Sequence, residues 1–107
     1  MAIEGKAVRL SVYLGSSDRW HGVNLAVAIV ERCRKLGYAG ATVTRGLLGY
    51  GRHSRIHRAH LLGLSEDLPE KVEVIDRAER IAELIPLVRE MMSGGLMVVE
   101  DVEVVAL

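Results

Sequence analysis

The sequence predicts an α+β domain of the ferredoxin-like βαββαβ class, a four-stranded antiparallel sheet with two helices on one face. Three observations predict it. Four stretches alternate apolar and polar residues or are rich in β-branched ones. Two stretches between them space their apolar residues as a helix does. Their order is one βαβ unit written twice, and right-handed crossovers then place both helices on the same face.

The first strand is "KAVRLSVYL", with Val8, Leu10, Val12 and Leu14 on one side and Arg9, Ser11 and Tyr13 on the other. A polar loop, "GSSDRWHG", follows. The first helix is expected from Val23, with Val23, Ala26, Val27, Val30 and Cys33 forming its stripe and Gly37 stopping it. "ATVTRGL" reads as the second strand. A long basic loop matches neither period. "EKVEVID" alternates again as the third strand. Asp76 and Glu79 form a start signal for the second helix, whose stripe is Ile81, Leu84, Ile85, Val88 and Met91 or Met92. Pro86 inside it predicts a kink or a tightened turn. Ser93-Gly94-Gly95 ends the helix, and "LMVVEDVEVV" is the last strand.

The far sheet face then has no cover within the chain. "LMVV" and "VVAL" make the last strand apolar on both sides, so a second subunit is the expected cover and a homo-oligomer is expected.

The 107 residues are one domain's worth, residues 1–107, and half of them are apolar. The N-terminus resembles no signal peptide, and no stretch approaches the ~20 apolar residues of a membrane span. A soluble, cytoplasmic protein is expected. Cys33 is the single cysteine, which excludes a disulfide framework and a cysteine-based zinc site.

Net charge is zero, but its distribution is lopsided. Residues 32–65 hold seven Lys or Arg and no Asp or Glu, whereas residues 66–107 hold four basic and eleven acidic ones. Within the basic block, "GYGRHSRIHRAH" interleaves Arg52, Arg55 and Arg58 with His53, His57 and His60. Three guanidiniums and no neighbouring carboxylate or thiol disfavour a metal at these histidines. Nucleic acid is disfavoured by the absence of Phe, by aromatic-poor strands and by the acidic C-terminal part. No nucleophile stands beside a recognisable base, so no catalytic residue is assigned and no enzymatic role is expected. An anion fits the fixed two-pronged guanidiniums, and Gly46, Gly49 and Gly51 allow backbone N–H groups to approach it. The competing expectation is an internal salt-bridge cluster that folds the basic block onto the acidic one.

Asp18-Arg19-Trp20-His21-Gly22, Gly40-Ala41-Thr42-Val43 with Arg45-Gly46, Ser54-Arg55-Ile56-His57 and Leu64-Ser65-Glu66-Asp67-Leu68-Pro69 closely resemble the family known as domain of unknown function 190. The resemblance covers nearly the whole chain. That family is similar in fold to PII signalling proteins and to CutA-type trimers. It implies a homotrimer whose sheets face inward, small effectors (often adenine nucleotides) bound in intersubunit clefts, and a long loop after the second strand that contacts a partner, commonly a membrane transporter or channel. The PII pattern has a longer Gly-rich loop with a Lys before the last strand, where this chain has only Ser93-Gly94-Gly95.

The expected ligand is thus a small anion, an adenine nucleotide or another phosphate-bearing molecule. Arg45, Arg52 and Arg55 would hold it, with His57 as a hydrogen-bonding neighbour. Gly46, Gly49, Gly51, Gly94 and Gly95 would shape the cleft. A CutA-like trimer with a metal-linked or structural role and a small enzyme acting on an anionic metabolite are the alternatives.

Overall fold

The structure, a computed structural model, describes residues 3–50, 56–58 and 67–106. Its elements in chain order are strand β1 (Gly5–Gly15), the short arms β2 (Arg19–Trp20) and β3 (Val23–Asn24), and helix α1 (Leu25–Lys35). Strands β4 (Ala41–Arg45), β5 (Leu48–Tyr50), β6 (Ile56–Arg58) and β7 (Pro69–Asp76) follow, then helix α2 (Ala78–Met91) and strand β8 (Leu96–Val104).

The main sheet runs β4-β7-β1-β8, and every neighbouring pair is antiparallel. This is the expected ferredoxin-like topology. Leu10, Val12, Val72 and Val74 point to one face, where they are fully buried against Leu25, Ile29 and Cys33 of α1 and Ile81, Leu84 and Val88 of α2. The thiol of Cys33 sits in this core, and burial pushes its pKa up to about 11.

The loop before α1 is more ordered than its polar composition predicts. β2 and β3 pair across His21-Gly22, whose φ angles of 51° and 81° are those of a two-residue hairpin turn with both central residues left-handed. This hairpin claims Val23 and Asn24, so α1 starts two residues later than its apolar spacing suggests. Asn24 is its cap, accepting the Val27 N–H at 3.0 Å. Gly37, at φ 78°, ends it as expected. The Tyr38 N–H reaches back to Cys33 O at 3.0 Å and the Gly37 N–H to Arg34 O at 3.2 Å.

The start of α2 corrects the sequence reading. Arg77 occupies the cap position without a side-chain hydrogen bond. Asp76 is instead fully buried at the end of β7, because strand alternation turns it inward. Its Oδ2 accepts the Ala39 N–H at 2.9 Å and its Oδ1 the Arg77 N–H at 2.7 Å. Arg80 lies 3.8 Å from Asp76 and stacks on the Tyr38 ring at 4.1 Å, while the Tyr38 hydroxyl donates to Arg80 O at 2.8 Å. Helix α2 continues through Pro86, and Ile81, Leu84, Val88 and Met91 form its buried stripe.

β8 is apolar on both sides only over its first four residues. Glu100, Asp101 and Glu103 are exposed. The open sheet face is likewise crossed by charge. Arg9 donates to Glu100 at 3.0 Å and lies 3.6 Å from Glu73, which is 3.8 Å from Lys71. The basic connection after β4 is not a bare loop, since β5 and β6 pair within it, Gly49 opposite His57. Among the described residues, no helix is long and apolar enough to cross a membrane.

Candidate functional site

The buried face of β7 reads Glu70, Val72, Val74, Asp76: two valines flanked by two carboxylates. Asp76 anchors one end of the sheet, as above. Glu70 anchors the other, beside Arg45 and Gly46, two of the residues predicted to bind a ligand.

Arg45 is the last residue of β4 and pairs in register with Glu70. Its Nη2 and Nε both donate to Glu70 Oε2, at 2.7 and 3.1 Å. The Glu70 side chain is only 4% exposed, whereas that of Arg45 is 53% exposed. Glu70 Oε1 accepts from Asn24 Nδ2 at 3.3 Å, and the same amide donates to Ser16 O at 3.1 Å. Ser16 Oγ accepts the Leu68 N–H at 2.9 Å, Asp67 Oδ1 the Ser17 N–H at 2.9 Å, and Asp18 Oδ2 the Gly15 N–H at 3.0 Å. The Asp18-to-Gly22 motif and the motif ending in Asp67-Leu68-Pro69 thus meet at this corner, with Arg45 on its outer side.

Gly46 continues the contact, since its N–H donates to Pro69 O at 2.7 Å. A Cβ at Gly46 would stand 2.9 Å from Pro69 Cγ, and one at Gly49 3.2 Å from it. These two glycines let the chain leaving β4 lie on Pro69. Gly94 and Gly95 lie at the same end of the sheet, because β8 starts opposite Tyr13, one residue from Leu14, the register partner of Glu70. Three strand spacings separate β4 from β8, so Arg45 and Gly95 are roughly 14 Å apart. Gly94 and Gly95, with Arg89, Met92, Ser93 and Met97, line a groove of about 260 Å³.

The structure therefore brings Arg45, Gly46, Gly49, Gly94 and Gly95 to one end of the molecule. Gly51, Arg52 and Arg55 lie outside the described residues, and of His57 only the backbone, in β6, is described. A larger hollow of about 610 Å³ lies at the opposite end, lined by Arg9, Gly40, Thr42 and Glu73 among others, and contains none of the predicted residues. No group of three or more His, Cys, Asp or Glu among the described residues could hold a metal ion.

Sequence reasoning missed Glu70, Asn24 and Arg89. For Glu70 a signal existed, because in "EKVEVID" it shares the alternating face of Val72 and Val74, and a carboxylate on an apolar face requires a partner. Asn24 was hidden by an assumed earlier helix start. Nothing in the sequence placed Arg89 beside Gly94.

Strand order and the two paired helices define a member of the ferredoxin-like class. Solved structures share this fold. The PII-like protein CPII of Thiomonas intermedia K12, bound to ADP and bicarbonate, is 20% identical, with a TM-score of 0.66 over 92% of this chain and 88% of that one. Arabidopsis thaliana PII bound to citrate is 14% identical, with a TM-score of 0.58 over 89% and 76%. The chain belongs to the DUF190 family, described as "Uncharacterized ACR", whose model matches residues 7–104. It is similar to UPF0166 proteins of Aquifex aeolicus strain VF5, 33% identical over 98 residues, and Methanocaldococcus jannaschii, 31% identical over 100 residues, each match covering 92% of both chains.

Proposed function

We propose that this protein is a non-enzymatic, PII-like trimeric regulator of the cytoplasm that binds a small anionic effector in clefts between subunits, an adenine nucleotide being the first candidate. The observation that carries the reading is the strand register that gathers Arg45, Gly46 and the Gly94-Gly95 turn at one end of the sheet. A guanidinium and a glycine turn roughly 14 Å apart are too distant to hold one phosphate. They suit the two ends of an elongated ligand, or half-sites completed by a neighbouring subunit. Support from outside the chain is that CPII carries ADP, AMP and bicarbonate on the same fold. Gly51, Arg52, Arg55 and His57 belong to the same connection as Gly46 and complete the proposed site. A membrane transporter or channel is the partner class that the connection would address.

Calorimetric titration with ADP, AMP, ATP and bicarbonate, alongside light scattering, tests the reading. The expected result is micromolar binding to a trimer, weakened at least tenfold by Arg55→Ala with little change in melting temperature. Absence of binding up to millimolar concentration, or a monomer, overturns it.

The Arg45–Glu70 pair favours a second reading, in which the basic block is architecture that folds onto the acidic one. That reading expects Arg55→Ala to lower stability, and no anion to raise the melting temperature of the wild type.

A further inference from the structure

Arg45 is engaged along one edge only. Its Nε and Nη2 both reach Glu70 Oε2. A guanidinium has five N–H donors, so Nη1 and the second N–H of Nη2 remain as an outward edge that has no partner among the described residues. That edge suits two oxygens of a phosphate or carboxylate, and the half-exposed Arg45 can meet one there without leaving Glu70. Glu70 itself is held from the inner side, since its other oxygen takes the Asn24 amide, and that amide is tied to the turn before β2. A ligand therefore meets a guanidinium whose charge is already balanced by a fixed, buried carboxylate.

Resting on the effector-binding reading above, we propose that Glu70 is the built-in counter-charge of the anion site: it stays on the inner edge of Arg45 while the ligand takes the outer edge, and it sets how strongly the site binds anions. A carboxylate roughly 7 Å from a bound anion, at an effective dielectric of about 20, weakens binding by one to two orders of magnitude before salt acts.

Glu70→Gln is the direct test, because Gln has the same shape and still offers an oxygen to Arg45. Titrated with inorganic pyrophosphate and with ADP at low salt, the variant is expected to bind about tenfold tighter than the wild type. The gain should shrink in 0.5 M salt and vanish when Arg45→Gln is added. Equal or weaker binding by Glu70→Gln, with the wild type binding normally, overturns this proposal and leaves the effector reading standing. Absence of binding by both proteins overturns the two together.

Should Glu70→Gln not fold, the Arg45 Nε–H signal of the wild type in nitrogen-15 NMR decides. Unchanged slow exchange at saturating pyrophosphate supports a retained Glu70 contact. Faster exchange means that the ligand pulls Arg45 away and refutes it.

Discussion

Gly95 lies directly on the backbone of Tyr13. At its φ of 93°, a Cβ would overlap the Tyr13 carbonyl oxygen and come within 2.9 Å of Met92 Cε, whereas a Cβ at Gly94 would meet nothing within 4 Å. The two glycines of one turn thus do different things. Gly95→Ala is expected to lower stability by about 2 kcal/mol, from positive φ and the clash together. Gly94→Ala should leave the melting temperature within about two degrees. Calorimetry on both variants checks this, and a loss of ligand affinity in Gly94→Ala would then report on the site alone.

Asp76 joins the end of α1 to the start of α2. Replacing it with Ala leaves the Ala39 and Arg77 N–H groups without their acceptor and Arg80 without its neighbouring charge. The expected loss is about 3 kcal/mol in urea unfolding, with Asp76→Asn losing less because one acceptor survives. A loss below about 1 kcal/mol would show that this corner does not bind the helices together.

The raised pKa of Cys33 predicts alkaline sensitivity. The folded thiol holds its proton to about pH 11, against an ordinary value of 9.0. Its contribution is therefore fully present below pH 9 and is lost as pH rises from 9 through 11, by up to about 3 kcal/mol. Burial also raises the pKa of Tyr38 and adds to the same trend. Unfolding at pH 7.5 and 10 should show a steeper fall for the wild type than for Cys33→Ala. A thiol reagent at pH 8 should label Cys33 only after unfolding.

Val102 and Val99 separate folding from assembly. Val102 pairs with Ala7 on the open face, while Val99 pairs with Leu10 on the helix face, yet is 51% exposed at the edge of the sheet. In the proposed trimer, Val102→Asp buries a charge between subunits and should yield monomers or lose several kcal/mol. Val99→Asp should change the assembly little. Light scattering at low micromolar concentration compares them, and a trimer from Val102→Asp would exclude the open face as the interface.

The sequence alone was sufficient for the topology and for the core of β1, β7 and α2, whereas the expected stripe of α1 was shifted: Val23 and Val27 are half exposed, and Leu25 and Ile29 are buried with Ala26 and Cys33. Alternation in β1 and β7 and the helical stripe of α2 are local periodicities that mark which side of an element must leave water. Val72, Val74, Ile81, Leu84 and Val88 could therefore be assigned inward before any contact was known. The resemblance motifs were equally legible, but not their meeting place. That Asp67 holds the Ser17 N–H, fifty residues away, follows from how the turn after β1 passes the start of β7. The placement of Asp76 shows the same limit. As text it is a helix start signal, and only its position on the buried face of β7 commits its oxygens to Ala39 and Arg77.

Arg45 marks the boundary most sharply. Its charge type and its glycine neighbours could be read from the chain and pointed to an anion. The carboxylate that balances that charge lies 25 residues away, and strand pairing alone brings the two together. Composition and periodicity record what each segment needs buried. Which charged group meets which is decided by sheet register, because a buried carboxylate must take the cation that the neighbouring strand presents.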